Sequence, residues 1–288
     1  MQIGDIEAID VLLGLPGPGY GWWEERIIPQ VRTNADYSKH LAPHFYRDGV
    51  PEGVYENSFI STIIKKMDEF HVQKGVVSFA IDDQDARQLV TAHADRLIPT
   101  LNIDPHEGMK TLRDMERAVD ELAIKGVAVI PAAFNPPIPI DDRRMYPIYA
   151  KCIELDIAAL VSVGVPGPHI RFAAQMPELV DEVCWFYPEL RMVLRHGGDP
   201  WIDLVVKMLH KWPNLYYATS GWVPKHYPKG IIDFANTRGA DKIMWAGYYP
   251  YGLTYERIFS EMPNVPFRDH VWPRFLRDNA IAALKLDA

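Results

Sequence analysis

The sequence is poor in cysteine and has no long uninterrupted apolar run. Cys152 and Cys184 are the two cysteines among 288 residues, and both lie in apolar helical patterns. This favours buried core thiols over a disulfide framework. No apolar stretch approaches the roughly 18 residues that a membrane-spanning helix needs, and no cationic and apolar leader opens the chain. We therefore expect a cytoplasmic protein without a membrane partner.

Basic residues are scarce relative to acidic ones. Lys and Arg number 30, Asp and Glu number 38, and the formal net charge is −8 without any basic run. Proteins that bind nucleic acid through its phosphates need the opposite balance, so we expect no nucleic-acid partner. Neither GxGxxG nor GxxxxGK with a following Ser or Thr comes after a predicted strand. No dinucleotide or phosphate cradle is therefore predicted.

The sequence does contain a regular alternation of short apolar runs with segments of helical spacing. The apolar runs predict strands at residues 6–13, 75–80, 97–103, 126–130, 158–163, 190–194, 215–219 and 242–247. Helices are predicted at residues 56–70, 82–94, 106–124, 144–155, 177–186, 201–211, 229–237, 255–261 and 270–286. This pattern predicts a single α/β domain over residues 1–288, a (β/α)8 TIM barrel with extra C-terminal helices. An open, doubly wound sheet is the alternative.

Residues 14–55 interrupt the alternation with an irregular segment rich in proline, aromatic residues and histidine. A connection of this length in a compact domain indicates a lid, a cap or a partner contact. Exposed aromatic segments need cover, so we expect a homodimer or a higher homo-oligomer.

A functional side chain is predicted at the end of the sixth strand. The stretch ELRMVLRHGGDPW, residues 189–201, carries a buried strand, then Arg195 and His196, then a glycine turn before a helix. α/β barrels present catalytic side chains at such strand ends. If His196 points into the barrel mouth, strand alternation directs Arg195 toward the helical layer.

The same alternation brings four polar side chains to the barrel mouth, namely Asp10, Ser162, His196 and Tyr248. An imidazole near a phenol and a carboxylate suits general acid–base chemistry, because burial and charged neighbours move pKa values toward neutrality. We therefore predict His196, Tyr248 and Asp10 as catalytic residues. The plainer alternatives are backbone contacts for His196 and Asp10 and space filling for Tyr248.

Substrate-binding candidates surround these three residues. They are Ser162, Arg195, Asp199, Trp201, Trp222 and Tyr249. A guanidinium suits a substrate carboxylate, although the alternation makes a structural ion pair the alternative for Arg195. Asp199 at a helix start is also favoured by the helix dipole alone. Ser162 lacks a GxSxG elbow, which makes a small spacer its alternative role.

Five segments follow one another along the last two thirds of the chain: KGVAVIPAAFNPPIPIDDRRMYPIYAKCIELDIAALVSVGVPG, LRMVLRHGGDPW, KWPNLYYATSG, DKIMWAGYYP and RDNAIAALKL. In this order they resemble the amidohydrolase-related family that includes aminocarboxymuconate semialdehyde decarboxylase. The resemblance covers residues 125–286. It implies a barrel of the metal-dependent-hydrolase type, with decarboxylation or hydrolysis as the leading reactions.

The resemblance also implies a divalent metal, held by an HxH pair after strand one, by histidines after strands five and six, and by an aspartate after strand eight. Carried over by position, these ligands fall on Leu12, Gly14, Ser162, His196 and Tyr248. Only the histidine remains a good donor, whereas zinc needs three or four. We therefore predict a divergent member with metal-independent chemistry and no cofactor. The alternative is a metal such as zinc, held by substitute acids among Asp10, Asp104 and Asp199.

Taken together, these features favour an enzyme, a hydrolase or a carbon–carbon or carbon–oxygen lyase with acid–base chemistry around His196. Its substrate is expected to be a small carboxylated or cyclic organic acid. Two alternatives remain open: a non-catalytic binding subunit and a metalloenzyme with substitute ligands.

Overall fold

The computed structural model describes residues 6–17, 25–33 and 50–287. Eight parallel strands follow one another in sheet order, each hydrogen-bonded to the next. They are β1 (Ala8–Asp10), β2 (Val72–Phe79), β3 (Leu97–Asn102), β4 (Gly126–Val129), β5 (Ala158–Ser162), β6 (Met192–Arg195), β7 (Leu215–Ala218) and β8 (Ile243–Met244). A doubly wound sheet requires the strand order to reverse, so the TIM-barrel prediction is confirmed and the open alternative is wrong.

Backbone hydrogen bonds connect the residues that follow β1 with those that follow β8. The N–H of Val11 donates to Trp245 O over 3.2 Å, and the N–H of Tyr248 donates to Leu12 O over 2.9 Å. These bonds join the first and last strands of the sheet. Regular strand geometry in β8 covers only two residues, fewer than the sequence predicts, and the irregular segment after it carries part of the closure.

Helices follow the strands and form the outer layer. They are α1 (Ile60–Glu69), α2 (Gln84–Ala92), α3 (Met109–Leu122), α4 (Tyr146–Glu154), α5 (Val180–Phe186), α6 (Ile202–Lys211), α7 (Lys229–Ala235), α8 (Tyr255–Glu261) and α9 (Asn279–Leu284). Side-chain caps begin two of them: Asp83 accepts the N–H of Ala86, and Thr254 accepts that of Arg257. The helix predicted at 270–286 is instead a π-helical turn, Arg274–Asp278, followed by α9.

Side chains of the strands separate into two cores. Val193 and Leu160 pack with other small and branched residues inside the barrel. Met192 and Leu194 pack outward against the helices. Residues of α9 join the interior core, and Ala283 O accepts from Nε of Arg191, the residue before β6. The last helix therefore closes the end of the barrel where the strands begin.

Several predictions lie partly outside the described residues. Positions 18–24 and 34–49 of the predicted insertion are among them, so a lid or cap role for this segment stays a prediction.

Both cysteines are buried and unpaired. Within residues 6–17, 25–33 and 50–287, no helix has the length and apolar character to cross a membrane.

Candidate active site

A cavity of about 1100 Å³ lies at the carboxyl ends of the strands. Residues that end or follow each strand line it, namely Leu12, Ser78, Asn102, Ile130, Ser162, Arg195, Ser220 and Tyr248. Since α9 closes the opposite end, the cavity lies at the end of the barrel where α/β-barrel proteins carry their active sites. Its volume suffices for a small organic molecule.

Arg195, the last residue of β6, points into this cavity. Its side chain is 2% exposed, and its Nε has no hydrogen-bond partner. No carboxylate in the described part of the chain pairs with it. Burial lowers the pKa of the guanidinium to about 10, and the Tyr248 phenol opposes this shift. The group is therefore a buried cation at neutral pH without a counterion, which is costly until an anion binds beside it.

This orientation corrects the prediction that Arg195 faces the helical layer. Val193 packs inside the barrel, so two-residue alternation also directs Arg195 inward. His196 leaves the alternation because its backbone is left-handed, with φ of +63°. As a result, two consecutive residues line the same cavity.

The left-handed turn at His196 is held by its neighbours. The N–H of His196 donates to Ser220 Oγ over 2.8 Å. Gly197 continues the turn with φ of +84°, and a Cβ there would lie 2.7 Å from Nε1 of Trp222. Glycine is therefore required by both backbone conformation and space.

The imidazole of His196 is neutral at physiological pH. Burial, with a smaller contribution from the adjacent Arg195, lowers its pKa to about 3. The ring of Tyr248 meets it edge to face, with centroids 5.8 Å apart and planes at 87°. Burial raises the pKa of Tyr248 to about 12, and Arg195 opposes this shift. Burial thus moves both pKa values away from neutrality, which corrects the expectation that it would bring them toward it. The part of the cavity around Arg195 therefore holds a neutral imidazole, a protonated phenol and a cation.

Asp10 does not join this group. Its fully buried carboxylate accepts from the N–H of Gly247 at 2.6 Å, the N–H of Leu12 at 3.0 Å and the hydroxyl of Tyr255 at 2.9 Å. Burial raises its pKa to about 7, and these hydrogen bonds oppose the shift. Asp10 is absent from the cavity lining and links β1 to the segment after β8.

The predicted substrate-binding residues separate into two sets. Ser162, Asp199 and Trp222 line the cavity together with Arg195. The Oγ of Ser162 is buried without a partner, whereas Asp199 is exposed. Trp201 and Tyr249 are absent from the lining; they pack against Phe172 and Tyr255, with ring centroids 5.8 Å and 4.7 Å apart. Their roles in binding stay predictions.

Sequence reasoning missed several polar residues of the cavity, among them Ser78, Asn102, Gln175 and Ser220. Ser78 and Asn102 follow the inward-facing Val76 and Ile98 by two and four residues, so strand alternation was sufficient to find them. Gln175 ends a short 3-10 helix, Ala173–Gln175, and its Nε2 donates to Gly164 O over 2.8 Å. No local pattern indicated Gln175 or Ser220.

The fold and the cavity define a TIM-barrel protein with a polar site at the carboxyl ends of its strands. A sequence profile of the amidohydrolase family matches residues 65–286. The chain belongs to this family, which confirms the resemblance found in the sequence. Because that profile covers most of the chain, the assignment does not depend on any single motif.

Similar proteins share the fold at low sequence identity. A TIM-barrel protein of Bordetella bronchiseptica is 22% identical, with a TM-score of 0.80 over 96% of this chain and 98% of that one. The 5-carboxyvanillate decarboxylase of Novosphingobium aromaticivorans, complexed with manganese and 4-hydroxy-3-methoxy-5-nitrobenzoic acid, is 16% identical. Its TM-score is 0.65, over 98% of this chain and 96% of the decarboxylase. The 2-keto-4-carboxy-3-hexenedioate hydratase of a Sphingobium strain is 29% identical over 103 residues, which are 31% of this chain and 30% of the hydratase.

The manganese in the decarboxylase contradicts the prediction of a barrel without a cofactor, because a structurally similar protein carries a metal. Within the described ranges, however, no three His, Cys, Asp or Glu side chains form a group that would hold an ion. Gly14 stands where the resemblance implies a metal ligand, and a Cβ there would lie 2.2 Å from the ring of Tyr251. The guanidinium of Arg195 lines the same cavity, and its positive charge disfavours the binding of a metal cation there. The described residues therefore do not fit a divalent metal.

Proposed function

We propose that the protein is a lyase of the amidohydrolase family, a hydratase or a decarboxylase, that acts on a small carboxylated organic acid. The observation that carries this proposal is the buried guanidinium of Arg195, which lines the cavity and has no carboxylate partner among the residues that the structure describes. Two similar proteins have names that indicate such reactions, one a hydratase and the other a decarboxylase of carboxylated acids.

Arg195 binds the substrate carboxylate. A carboxylate accepts two parallel N–H bonds from a guanidinium, and the pair is strong where water is excluded. Ser162 is the register partner of Arg195 on the neighbouring strand, and its buried Oγ lacks a hydrogen-bond partner. The hydroxyl therefore supplies a further contact to the same carboxylate, and Trp222 and Asp199 shape the entrance.

His196 and Tyr248 transfer the proton. Decarboxylation breaks the bond between the carboxyl carbon and its neighbour, releases carbon dioxide and delivers a proton to the remaining carbon. Hydration adds a proton to one carbon of a double bond and hydroxide from water to the other. Both reactions need a proton donor or acceptor beside the bound acid. The protonated phenol of Tyr248 is the donor and the neutral imidazole of His196 is the acceptor. Asp10 acts as a positioning residue, because its hydrogen bond to Gly247 holds the chain just before Tyr248.

The second candidate function is that of a binding subunit without catalysis. Leu12 and Gly14 favour it. They stand where the resemblance implies two histidine ligands, and neither has a side chain that can bind a metal. Such a protein would bind carboxylic acids at Arg195 without converting them.

A panel of aromatic and unsaturated carboxylic acids tests the proposal with the full-length purified protein. Carbon dioxide release reports decarboxylation, and proton NMR reports hydration. We expect turnover of at least one acid, reduced at least a hundredfold by His196→Asn or by Tyr248→Phe. The exposed His270→Asn is the matched control. Turnover unchanged in both variants would remove the proposed site, and binding without turnover would establish the second candidate.

Self-association is a separate proposal. Trp185 and Phe186 are 66% and 52% exposed, and the ring of Phe186 lies 5.1 Å from that of Tyr146. We infer that this aromatic surface contacts a second copy of the chain. Analytical ultracentrifugation checks it: a dimer that becomes a monomer in Trp185→Ser/Phe186→Ser supports the proposal, and a wild-type monomer refutes it.

A further inference from the structure

Two polar side chains face the cavity from the strands β2 and β3. Ser78 lies near the end of β2, and Asn102 is the last residue of β3. Both line the cavity that also contains Arg195. Asn102 is 8% exposed, and its Oδ1 is buried without a hydrogen-bond partner. An unpaired buried carbonyl oxygen of this kind needs a donor from a ligand.

The hydrogen bonds around Ser78 leave it as an acceptor too. Thr100 Oγ1 donates its only proton to Val77 O over 2.9 Å. Ser78 Oγ lies 2.7 Å from Thr100 Oγ1, so the proton between these two hydroxyls comes from Ser78. The lone pairs of Ser78 remain available to the cavity, whereas its proton is already used. Ser78 and Asn102, here called the acceptor pair, therefore both present oxygen acceptors.

The opposite part of the wall has the complementary character. Arg195 and Ser162 end β6 and β5, which lie three strands away from β3 and β2 around the barrel. A guanidinium has only donors, and the buried Ser162 hydroxyl has a proton to give. The cavity thus has a donor side at β5–β6 and an acceptor side at β2–β3.

We propose that this cavity selects ligands with two different ends: a carboxylate that faces Arg195 and Ser162, and a hydrogen-bond donor that faces the acceptor pair. The donor is a hydroxyl or an N–H group of the same molecule. This inference rests on the proposed function and adds the direction of the substrate's polarity. An ether oxygen or a second carboxylate at that end donates no proton, so the buried Oδ1 of Asn102 stays unsatisfied, which is unfavourable.

Isothermal titration calorimetry with benzoate and its substituted forms tests the proposal on the full chain. The substituents are hydroxyl, amino, methyl and methoxy, each placed at position 3 and at position 4 to cover the span of the cavity. We expect the hydroxyl or amino acid of at least one position to bind roughly threefold to tenfold more tightly than its methyl and methoxy counterparts. The methyl compound separates the loss of a donor from a simple effect of size.

Variants assign the preference to the acceptor pair. In Asn102→Leu the preference for a donor disappears while benzoate itself still binds, and Ser78→Ala reduces the preference. Asn264→Leu, at an exposed asparagine, is the matched control and keeps it. Melting temperatures verify that each variant is folded.

Three results overturn the proposal. Methoxy acids that bind as tightly as hydroxy and amino acids at both positions contradict the proposed role of the acceptor pair. They do not contradict carboxylate binding at Arg195. A donor preference that persists in both Asn102→Leu and Ser78→Ala contradicts it in the same way. Failure of every acid to bind contradicts the proposed function together with this inference.

Discussion

Ser162 and Arg195 are register partners at the ends of two neighbouring strands, and each has a buried polar atom without a hydrogen-bond partner. Folded proteins leave few such atoms unsatisfied, because each one costs on the order of 1–3 kcal/mol of stability. Two of them side by side inside one cavity indicate that a ligand supplies the missing partner. Removal of the Arg195 charge should therefore stabilise the folded protein and weaken ligand binding.

Arg195→Met removes the charge and keeps most of the side-chain volume. Because no carboxylate among residues 6–17, 25–33 and 50–287 pairs with the buried guanidinium, we expect the free energy of unfolding to rise by about 1 kcal/mol or more. The affinity for benzoate should fall at least tenfold, since a charge-assisted hydrogen bond is lost. Urea denaturation and calorimetry measure the two effects.

Arg113→Met, on the exposed side of α3, is the control for that substitution, and it should change neither quantity. A large loss of stability in Arg195→Met with unchanged benzoate affinity would show that the guanidinium has a structural role instead.

The protonation state of His196 gives a second prediction. Burial and the neighbouring guanidinium lower its pKa to about 3, so its ring stays neutral from pH 5 to pH 9. An unfolded histidine takes up a proton below about pH 6.5, so this group makes the protein less stable as the pH falls below that value. In ligand-free protein, nitrogen-15 NMR should show neutral-ring shifts over the whole range. A titration of this ring near pH 6.5 would contradict the lowered pKa of His196.

The barrel itself was predictable from the sequence, because alternating apolar strands and amphipathic helices have periods that a single chain displays directly. Ser162 follows Ala158 and Leu160 on the inward face of a regular strand, and alternation placed it correctly in the cavity. The longer and more regular a strand is, the more reliable this reasoning becomes.

The site itself was less predictable, because its residues lie where regular strands end. Alternation assumed that β6 continues through His196, whereas the left-handed backbone at that residue brings Arg195 and His196 to the same cavity. β1 has only three residues, with a register irregularity between Ala8 and Ile9. Extrapolation over such a short strand placed Asp10 in the cavity with Leu12. In the structure only Leu12 lines the cavity, whereas Asp10 accepts hydrogen bonds from Gly247 and Tyr255. These backbone departures depend on tertiary contacts that have no local sequence signature.

Asp10 predicts a pH effect opposite in sign to that of His196. Its pKa is raised from 3.8 to about 7, so the native state holds a proton that the unfolded state has already lost between these values. Raising the pH through this window therefore lowers the free energy of unfolding, by on the order of 4 kcal/mol at full effect. Asp10→Asn removes this titration.

The difference in unfolding free energy between Asp10→Asn and wild type isolates the carboxylate, because all other groups titrate in both proteins. Urea denaturation at intervals from pH 4 to pH 8 should show this difference moving in favour of the variant as the pH rises. Two curves that stay parallel would show that the pKa of Asp10 in the folded protein is close to its ordinary value.

Gly247 and Asp10 form a close contact between the two ends of the sheet. A Cβ at position 247 would lie 2.3 Å from Oδ2 of Asp10 and 3.0 Å from the ring of Tyr255. We expect Gly247→Ala to lower the free energy of unfolding by about 1–3 kcal/mol, as overpacking does in other cores. Gly230→Ala in α7, where the nearest atom is 3.1 Å away and belongs to the side chain of Ile202, should cost little.

A double-mutant cycle identifies the cause of this loss. If the new methyl group collides with the carboxylate, Asp10→Ala removes the obstacle, and Gly247→Ala then costs less in that background than in wild type. The expected coupling is at least about 1 kcal/mol, measured by urea denaturation of the four proteins at one pH. Additive costs would mean that Gly247 is needed for its backbone alone, and that the β1–β8 junction tolerates a side chain beside Asp10.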